Sequence, residues 1–130
     1  MKVVRFTELA FGQLPGRRAA DPLPGAELGE ICIRFAHLTA GPRAPHRHPH
    51  SVELTYVLEG EGTHWQEGET ERVGPGDLVV VPVGVRHATI PDAGGEMLLY
   101  CVFPVATLEG NVEESDEPLA ISLGLPADET

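Results

Sequence analysis

The sequence predicts a single all-β domain, either a β-sandwich or a small barrel. Its 130 residues suit one domain. Glycine and proline are frequent, with 15 and 12 residues, and no stretch free of both exceeds 11 residues. Since helices average about 11–12 residues, glycine and proline at this frequency nearly exclude an all-helical domain. Short segments with alternating side chains lie between the turn signals, which is typical of antiparallel strands.

The N-terminal part is predicted to contain two strands joined by an irregular arm. Residues 2–7 form the first predicted strand, and residues 11–29 form an arm rich in proline and glycine. The arm has no clear hydrophobic period, so we expect a loop that wraps a surface or a partner. Residues 30–39 alternate and predict the next strand. The single domain then divides into an N-terminal strand and arm (1–29), a β-barrel (30–108) and an acidic C-terminal tail (109–130).

The central strands are predicted from alternation and from the turns between them. In the segment 52–58, Glu53 shares one face with Thr55 and a valine, so this face is expected to point to the interior. Two later segments, 78–81 and 97–103, are apolar on both faces, which predicts that both faces are covered. The remaining predicted strands are 63–66, 70–73 and 87–90.

Charge and composition exclude several classes of partner. The net charge is −11, and residues 109–130 carry seven acidic residues and no lysine or arginine. There is no basic stripe, so we expect no nucleic acid or membrane partner, and we interpret the tail as a solvated end. No apolar stretch is long enough to span a bilayer. Cys32 and Cys101 are expected to be buried thiols in a reducing compartment, which predicts a cytoplasmic location.

Three histidines and one glutamate carry the strongest chemical signal. His46 and His48 are separated by one residue, so an extended backbone puts both rings on one face, about 7 Å apart at the Cα atoms. Glu53 follows on the interior-facing side of a strand, where a carboxylate is costly unless it is paired or bound to a cation. His87 begins another strand. The alternative is a solvated histidine-rich loop, but Glu53 and His87 favour a metal site.

The spacing around these residues matches two ordered motifs. Gly41, His46, His48, Glu53 and Gly60 follow the pattern G-x5-H-x-H-x3,4-E-x6-G, with the gap after Gly41 one residue short.

The second pattern is G-x5-P-x-G-x2-H-x3-N. Gly76, Pro82, Gly84 and His87 fill it in register, and Pro91 replaces the asparagine, which is not a metal ligand. In both motifs the sequence resembles the cupin superfamily. The resemblance covers residues 41–91 directly.

The resemblance implies a cupin jelly-roll barrel, also called a double-stranded β-helix. It further implies that His46, His48, Glu53 and His87 bind one divalent transition metal. Three imidazoles and one carboxylate suit Fe, Mn, Ni, Co, Cu or Zn, so the donor set does not name the ion. A six-coordinate ion would keep two positions open for water, O2 or a substrate.

Cupins with this ligand set differ widely in activity, because a fold does not determine a function. We expect a metal-dependent oxidoreductase of the dioxygenase type that acts on a small organic molecule, with Glu53 also serving as a catalytic base. One alternative is a lyase, isomerase or cyclase that uses the metal as a Lewis acid. In that case His64 and Tyr100 are candidates for substrate binding and proton transfer. Another alternative is a binding protein without catalysis.

Several further residues have open roles. His50 is a weak candidate that could be a cavity wall or plain surface, and His37 is more typical of a core histidine than of a ligand. Arg86 is expected to point outward, although it could bind an anionic substrate. We also expect a homodimer, with the arm 11–29 as an element exchanged between subunits.

Overall fold

The computed structural model describes residues 1–25 and 28–119. In this part of the chain eleven strands account for nearly all the regular structure, and one 3-10 turn spans Phe6–Glu8. None of its helices has the length and apolar character of a membrane span. The strands in chain order are β1 (Gly12–Leu14), β2 (Arg17–Ala20), β3 (Cys32–Thr39), β4 (His46–Arg47), β5 (Glu53–Glu59), β6 (Gly62–Gln66), β7 (Glu69–Val73), β8 (Leu78–Val81), β9 (His87–Pro91), β10 (Glu96–Phe103) and β11 (Glu113–Glu114).

The strands form two antiparallel sheets. One sheet has six strands in the order β1-β2-β3-β10-β5-β8, and the other has five in the order β11-β4-β9-β6-β7. The main core cluster lies on β3, β5 and β10, and a smaller cluster lies on β9. The buried side chains of the main cluster are Cys32, Ala36, Leu38, Val57, Met97, Leu99, Cys101 and Phe103. The predicted all-β class is confirmed.

The alternation predicted for the strand that begins near Glu53 is confirmed. Glu53, Thr55 and Val57 are buried, whereas Leu54 and Tyr56 are exposed. This strand pairs with β10 on one side and with β8 on the other. The period of two therefore brings a carboxylate into the interior next to apolar neighbours.

The N-terminal prediction is wrong in two respects. Residues 2–7 form no strand, and the arm contains a hairpin, β1–β2, instead of a loop. The hairpin extends the six-stranded sheet because β2 pairs with β3. Gly16 makes the turn with a φ of +69°, a conformation that glycine adopts without steric cost. Strands of three and four residues are too short for a hydrophobic period to reveal them.

The acidic segment is more than a solvated end. Glu113 and Glu114 form β11, which pairs with β4, and each carboxylate accepts a hydrogen bond from an arginine. The donors are Arg47 for Glu113 at 2.9 Å and Arg17 for Glu114 at 3.1 Å. The last part of the predicted tail, 120–130, lies outside the described residues.

Burial on both faces is correct for one predicted strand and wrong for the other. Strand β10 is buried along most of its length. On β8, Leu78 and Val80 are 58% and 54% exposed. The reason is that β8 is an edge strand, and in the described residues no layer covers the outer face of β5 and β8.

Candidate metal centre

Four buried side chains converge at one end of the space between the sheets. His46 lies on β4, His48 in the following loop, Glu53 at the start of β5 and His87 at the start of β9. One ligand atom from each lies within 4.8 Å of the others. Pairing of β4 with β9 places His46 opposite His87, with ring centroids 4.4 Å apart. The structure thus brings together all four residues that the sequence predicts as ligands.

Backbone carbonyls fix the orientation of two of the rings. Nδ1 of His48 is 2.8 Å from the carbonyl oxygen of Asn111, and Nδ1 of His87 is 2.9 Å from that of Val85. A carbonyl oxygen only accepts hydrogen bonds, so each Nδ1 carries the proton. In a neutral ring Nε2 then has a free lone pair, and in both residues it faces the carboxylate of Glu53.

This arrangement requires positive charge at its centre. Nε2 of His48 and Nε2 of His87 each lie 2.9 Å from Oε1 of Glu53. Two lone pairs and an anionic oxygen repel one another unless the rings are protonated or a cation lies between them. Nδ1 of His46 is also buried without a hydrogen-bond partner. The four side chains therefore fit a divalent transition metal, because one ion could take a ligand atom from each of them.

The protonation states suit metal ligands. Burial opposes ionisation of Glu53, but the contacts of its carboxylate with the His48 and His87 rings outweigh burial and hold the pKa of Glu53 well below its usual range. Burial, aided by the nearby His87, lowers the pKa of His46 well below the ordinary value, so this ring is neutral near pH 7. The second oxygen of Glu53 accepts a hydrogen bond from the Thr55 hydroxyl at 2.6 Å.

His64 lies beside this cluster. It is buried on β6 opposite Thr89, with Nδ1 3.0 Å from the Thr89 hydroxyl and Nε2 without a partner. Its ring is stacked with that of His87 at 6.2 Å between centroids. Burial lowers the pKa of His64 to about 4, so the imidazole is neutral at physiological pH.

Tyr100 is not brought to the cluster. On β10 the side chains of Leu99 and Cys101 line the same cavity as the four ligands, whereas Tyr100 points to the other face. Its ring packs on Phe35 at 5.2 Å in a separate apolar cavity. This placement follows from strand alternation and does not support a role in substrate binding at the cluster.

The other two histidines also lie outside the cluster. His37 on β3 places Nε2 3.2 Å from the carboxylate of Glu96. His50 is exposed, and its backbone N–H donates to Oδ1 of Asn111 at 2.7 Å. Arg86 is exposed, as expected.

The four ligands and His64 line a cavity of about 90 Å³. Two residues that sequence reasoning missed belong to its surroundings. Arg43 lines the cavity, and Asn111 orients His48 from the segment interpreted as a solvated tail. Neither lies in a periodic segment or in one of the motif positions, so no local signal marks them.

A comparison with protein families decides the assignment. A family model described as "Cupin domain" matches residues 35–103. This protein belongs to the cupin family. The two-sheet architecture agrees, and the predicted jelly-roll class is confirmed. No curated protein matches this cupin significantly.

Solved structures share the cupin's fold. Pac13 of Streptomyces, solved with uridine, has 16% identity and a TM-score of 0.74 over 90% of this chain and 92% of its own. Pac13 is described as a nucleoside dehydratase. The polyketide cyclase RemF of Streptomyces resistomycificus has 25% identity and a TM-score of 0.67 over 80% of this chain and 79% of its own. Oxalate decarboxylase from Bacillus subtilis has 22% identity and a TM-score of 0.66, covering 84% of this chain but 30% of its own.

Proposed function

We propose that this cupin is a metal-dependent enzyme that acts on a small organic molecule without net redox change, as a lyase or a cyclase. The observation that carries the proposal is His64, a buried neutral imidazole whose Nε2 has no partner beside the ligand cluster. Lyase and cyclase reactions need a positioned group that moves a proton. The similarity to a polyketide cyclase is compatible with this class.

Each side chain has a distinct task in this proposal. His46, His48, Glu53 and His87 would hold the ion, which supplies Lewis acidity when bound. His64 takes or gives the proton at Nε2. The Thr89 hydroxyl next to Nδ1 can donate or accept, so it supports either tautomer of His64.

Proton transfer is assigned to His64 in place of Glu53. Both oxygens of Glu53 have partners, with Oε1 facing two imidazoles and Oε2 accepting from Thr55. A carboxylate held in this way suits a ligand better than a mobile base.

The dioxygenase-type oxidoreductase is the second candidate. It is favoured by the donor set of three imidazoles and one carboxylate, which suits iron as well as zinc. A binding protein without catalysis is the third.

One experiment separates these functions. The protein is loaded with Zn(II) or with Fe(II) and incubated with a panel of 3-hydroxy and 3-keto acids, with and without O2. We expect turnover by the zinc form without O2, with products that have lost water or kept the substrate's mass. Uptake of O2 only by the iron form selects the dioxygenase, and binding without turnover selects the binding protein. His64→Gln should abolish turnover at unchanged metal content, whereas His37→Gln, outside the cluster, should not.

We also propose a homodimer formed through the outer face of β5 and β8. This face exposes Leu54 and Tyr56 on β5 and Leu78 and Val80 on the edge strand β8, and the two pairs are neighbours across the strands. Exposed apolar groups on an edge strand favour association with a partner. The arm is not needed for exchange, since its hairpin pairs with β3 of the same chain.

The cytoplasmic location stays a prediction, compatible with two buried free cysteines.

A further inference from the structure

The metal cavity contains an arginine without a counterion. Arg43 is 7% exposed and lines the cavity together with the four ligands and His64. Its Nε is buried without a hydrogen-bond partner, and none of the ion pairs between described residues includes Arg43. Burial, aided by the nearby Arg17, lowers the pKa of Arg43 to about 10, so the guanidinium is charged at neutral pH.

The other arginines in the lining are already paired. Arg17 lies 3.1 Å from Glu114, and Arg34 lies 3.5 Å from Asp21. Glu53 is the only acidic residue among the described lining residues, and it faces the histidines. Arg43 is therefore the cation in this cavity that a bound molecule could neutralise.

Local contacts hold Arg43 in position. Its Nη1 donates to the backbone carbonyl of Thr89, whose hydroxyl lies beside Nδ1 of His64. The hairpin turn covers its stem, because a Cβ at Gly16 would lie 3.1 Å from the Arg43 Cγ. The guanidinium and the proposed proton-transfer group thus share Thr89 as an anchor.

A bound dication would increase the excess of positive charge in the cavity. The charge of Glu53 offsets only part of the ion, and Arg43 adds a further positive charge in the same enclosed space. Burying uncompensated charge is costly, so the loaded cavity favours an anion. A guanidinium can bind a carboxylate through two parallel hydrogen bonds.

We propose that the substrate is a small organic acid whose carboxylate binds Arg43 inside the metal cavity. This inference rests on the proposed function, since it names the substrate class of the same site. The cavity volume of about 90 Å³ is well below the 300–1,000 Å³ of drug-sized sites, so a compact acid fits better than a large one. The negative net charge of the chain, −11, makes this positive cavity a local feature and not a property of the whole surface.

The test compares malonate, with two carboxylates, and malonamate, in which one carboxylate is an amide. Calorimetric titrations use Co(II)-loaded protein. Each probe then has one carboxylate that can bind the ion, and only malonate has a second carboxylate for Arg43. We expect the wild-type protein to bind malonate at least about tenfold more tightly than malonamate. Arg43→Gln should reduce this preference to less than about threefold at unchanged cobalt content. The matched control, Arg86→Gln, removes an exposed arginine and should keep the preference.

An equal preference in wild-type protein and Arg43→Gln would overturn the inference while leaving the metal-dependent function intact. Failure to bind cobalt would instead overturn the proposed function. The same titrations on the metal-free chain would then test Arg43, which is supported if Arg43→Gln loses the preference for malonate and refuted if it keeps that preference. If Arg43→Gln does not fold, Arg43→Met replaces the buried charge by an apolar chain of similar length, and loss of the malonate preference is again expected.

Discussion

The backbone carbonyl of Asn111 accepts a hydrogen bond from Nδ1 of His48 at 2.8 Å. The side chain of Asn111 secures this carbonyl, because it donates to the Ser51 hydroxyl at 2.9 Å and accepts from the backbone of His50 at 2.7 Å. A segment 63 residues away in the chain thereby fixes which nitrogen of His48 faces the ligand cluster.

Asn111→Ala should weaken metal binding by about 10–100-fold, since the support of a metal-binding histidine is lost. It should also lower the free energy of unfolding by about 1–3 kcal/mol, because the buried Ser51 hydroxyl and the His50 backbone N–H lose their partner. Competition with a chromogenic chelator measures the affinity. Glu109→Ala, at an exposed position of the same segment, is the control. Unchanged metal affinity in Asn111→Ala would show that the side chain is not needed to hold the carbonyl that orients the ring.

His48→Ala and His87→Ala should each remove most of the bound metal and leave a folded domain. Each variant deletes one of four ligands, while the core clusters on β3, β5, β9 and β10 contain neither histidine. Elemental analysis and circular dichroism measure the two effects. His50→Ala, an exposed histidine outside the cluster, should keep its metal. Full metal content in either ligand variant would refute the ligand assignment.

The stability of the metal-free protein should fall as the pH decreases from about 6.5 to about 4. The pKa of His64 is about 4 in the folded chain because of burial, against 6.5 for the ordinary value. In this pH range the His64 imidazole is therefore protonated in the unfolded chain but neutral in the folded chain. Between pH 7 and pH 4, the protonation of His64 in the unfolded chain lowers the free energy of unfolding by roughly 3 kcal/mol. Urea unfolding of His64→Gln should show a flatter pH dependence than the wild type, and parallel curves would contradict the buried neutral state.

Gly60→Ala should destabilise the fold by roughly 2–5 kcal/mol. Gly60 has a φ of +84°, and a Cβ there would lie 1.9 Å from the carbonyl oxygen of Glu96. Thermal unfolding measures the loss. Gly12→Ala is the matched control, because Gly12 has an ordinary φ and nothing within 4 Å of the added carbon. A Gly60→Ala protein as stable as Gly12→Ala would mean that the β5–β6 turn differs from the one described.

Leu78→Asp should convert the proposed dimer into a monomer. Leu78 is 58% exposed on edge strand β8, so the substitution adds charge to the interface without disturbing the core. Light scattering at micromolar concentration gives the mass of each protein. Thr70→Asp, an exposed substitution on β7 of the other sheet, should remain dimeric. A wild-type monomer would disprove the dimer.

The sequence predicts those features that repeat over several residues or follow a fixed spacing. The alternation around Glu53 gives both the strand and its buried face, and motif spacing gives the four ligands. The hairpin before Ala20 and the pairing of Glu113 with Arg47 were missed, because strands of two to four residues show no period. The positions of Arg43 and Asn111 depend on contacts with residues far away in the chain, and no local pattern encodes such contacts.

The ligands of the metal centre belong to different sheets. Glu53 begins a strand of the six-stranded sheet, whereas His46 and His87 lie on the five-stranded one. A bound ion would act as a cross-link between the two layers and would favour the folded chain over the unfolded one. At a free ion concentration 1,000 times the Kd, this linkage adds about 4 kcal/mol to the stability. The melting temperature would then rise and fall with the supply of the ion, so the lifetime of the protein in a cell would follow metal availability.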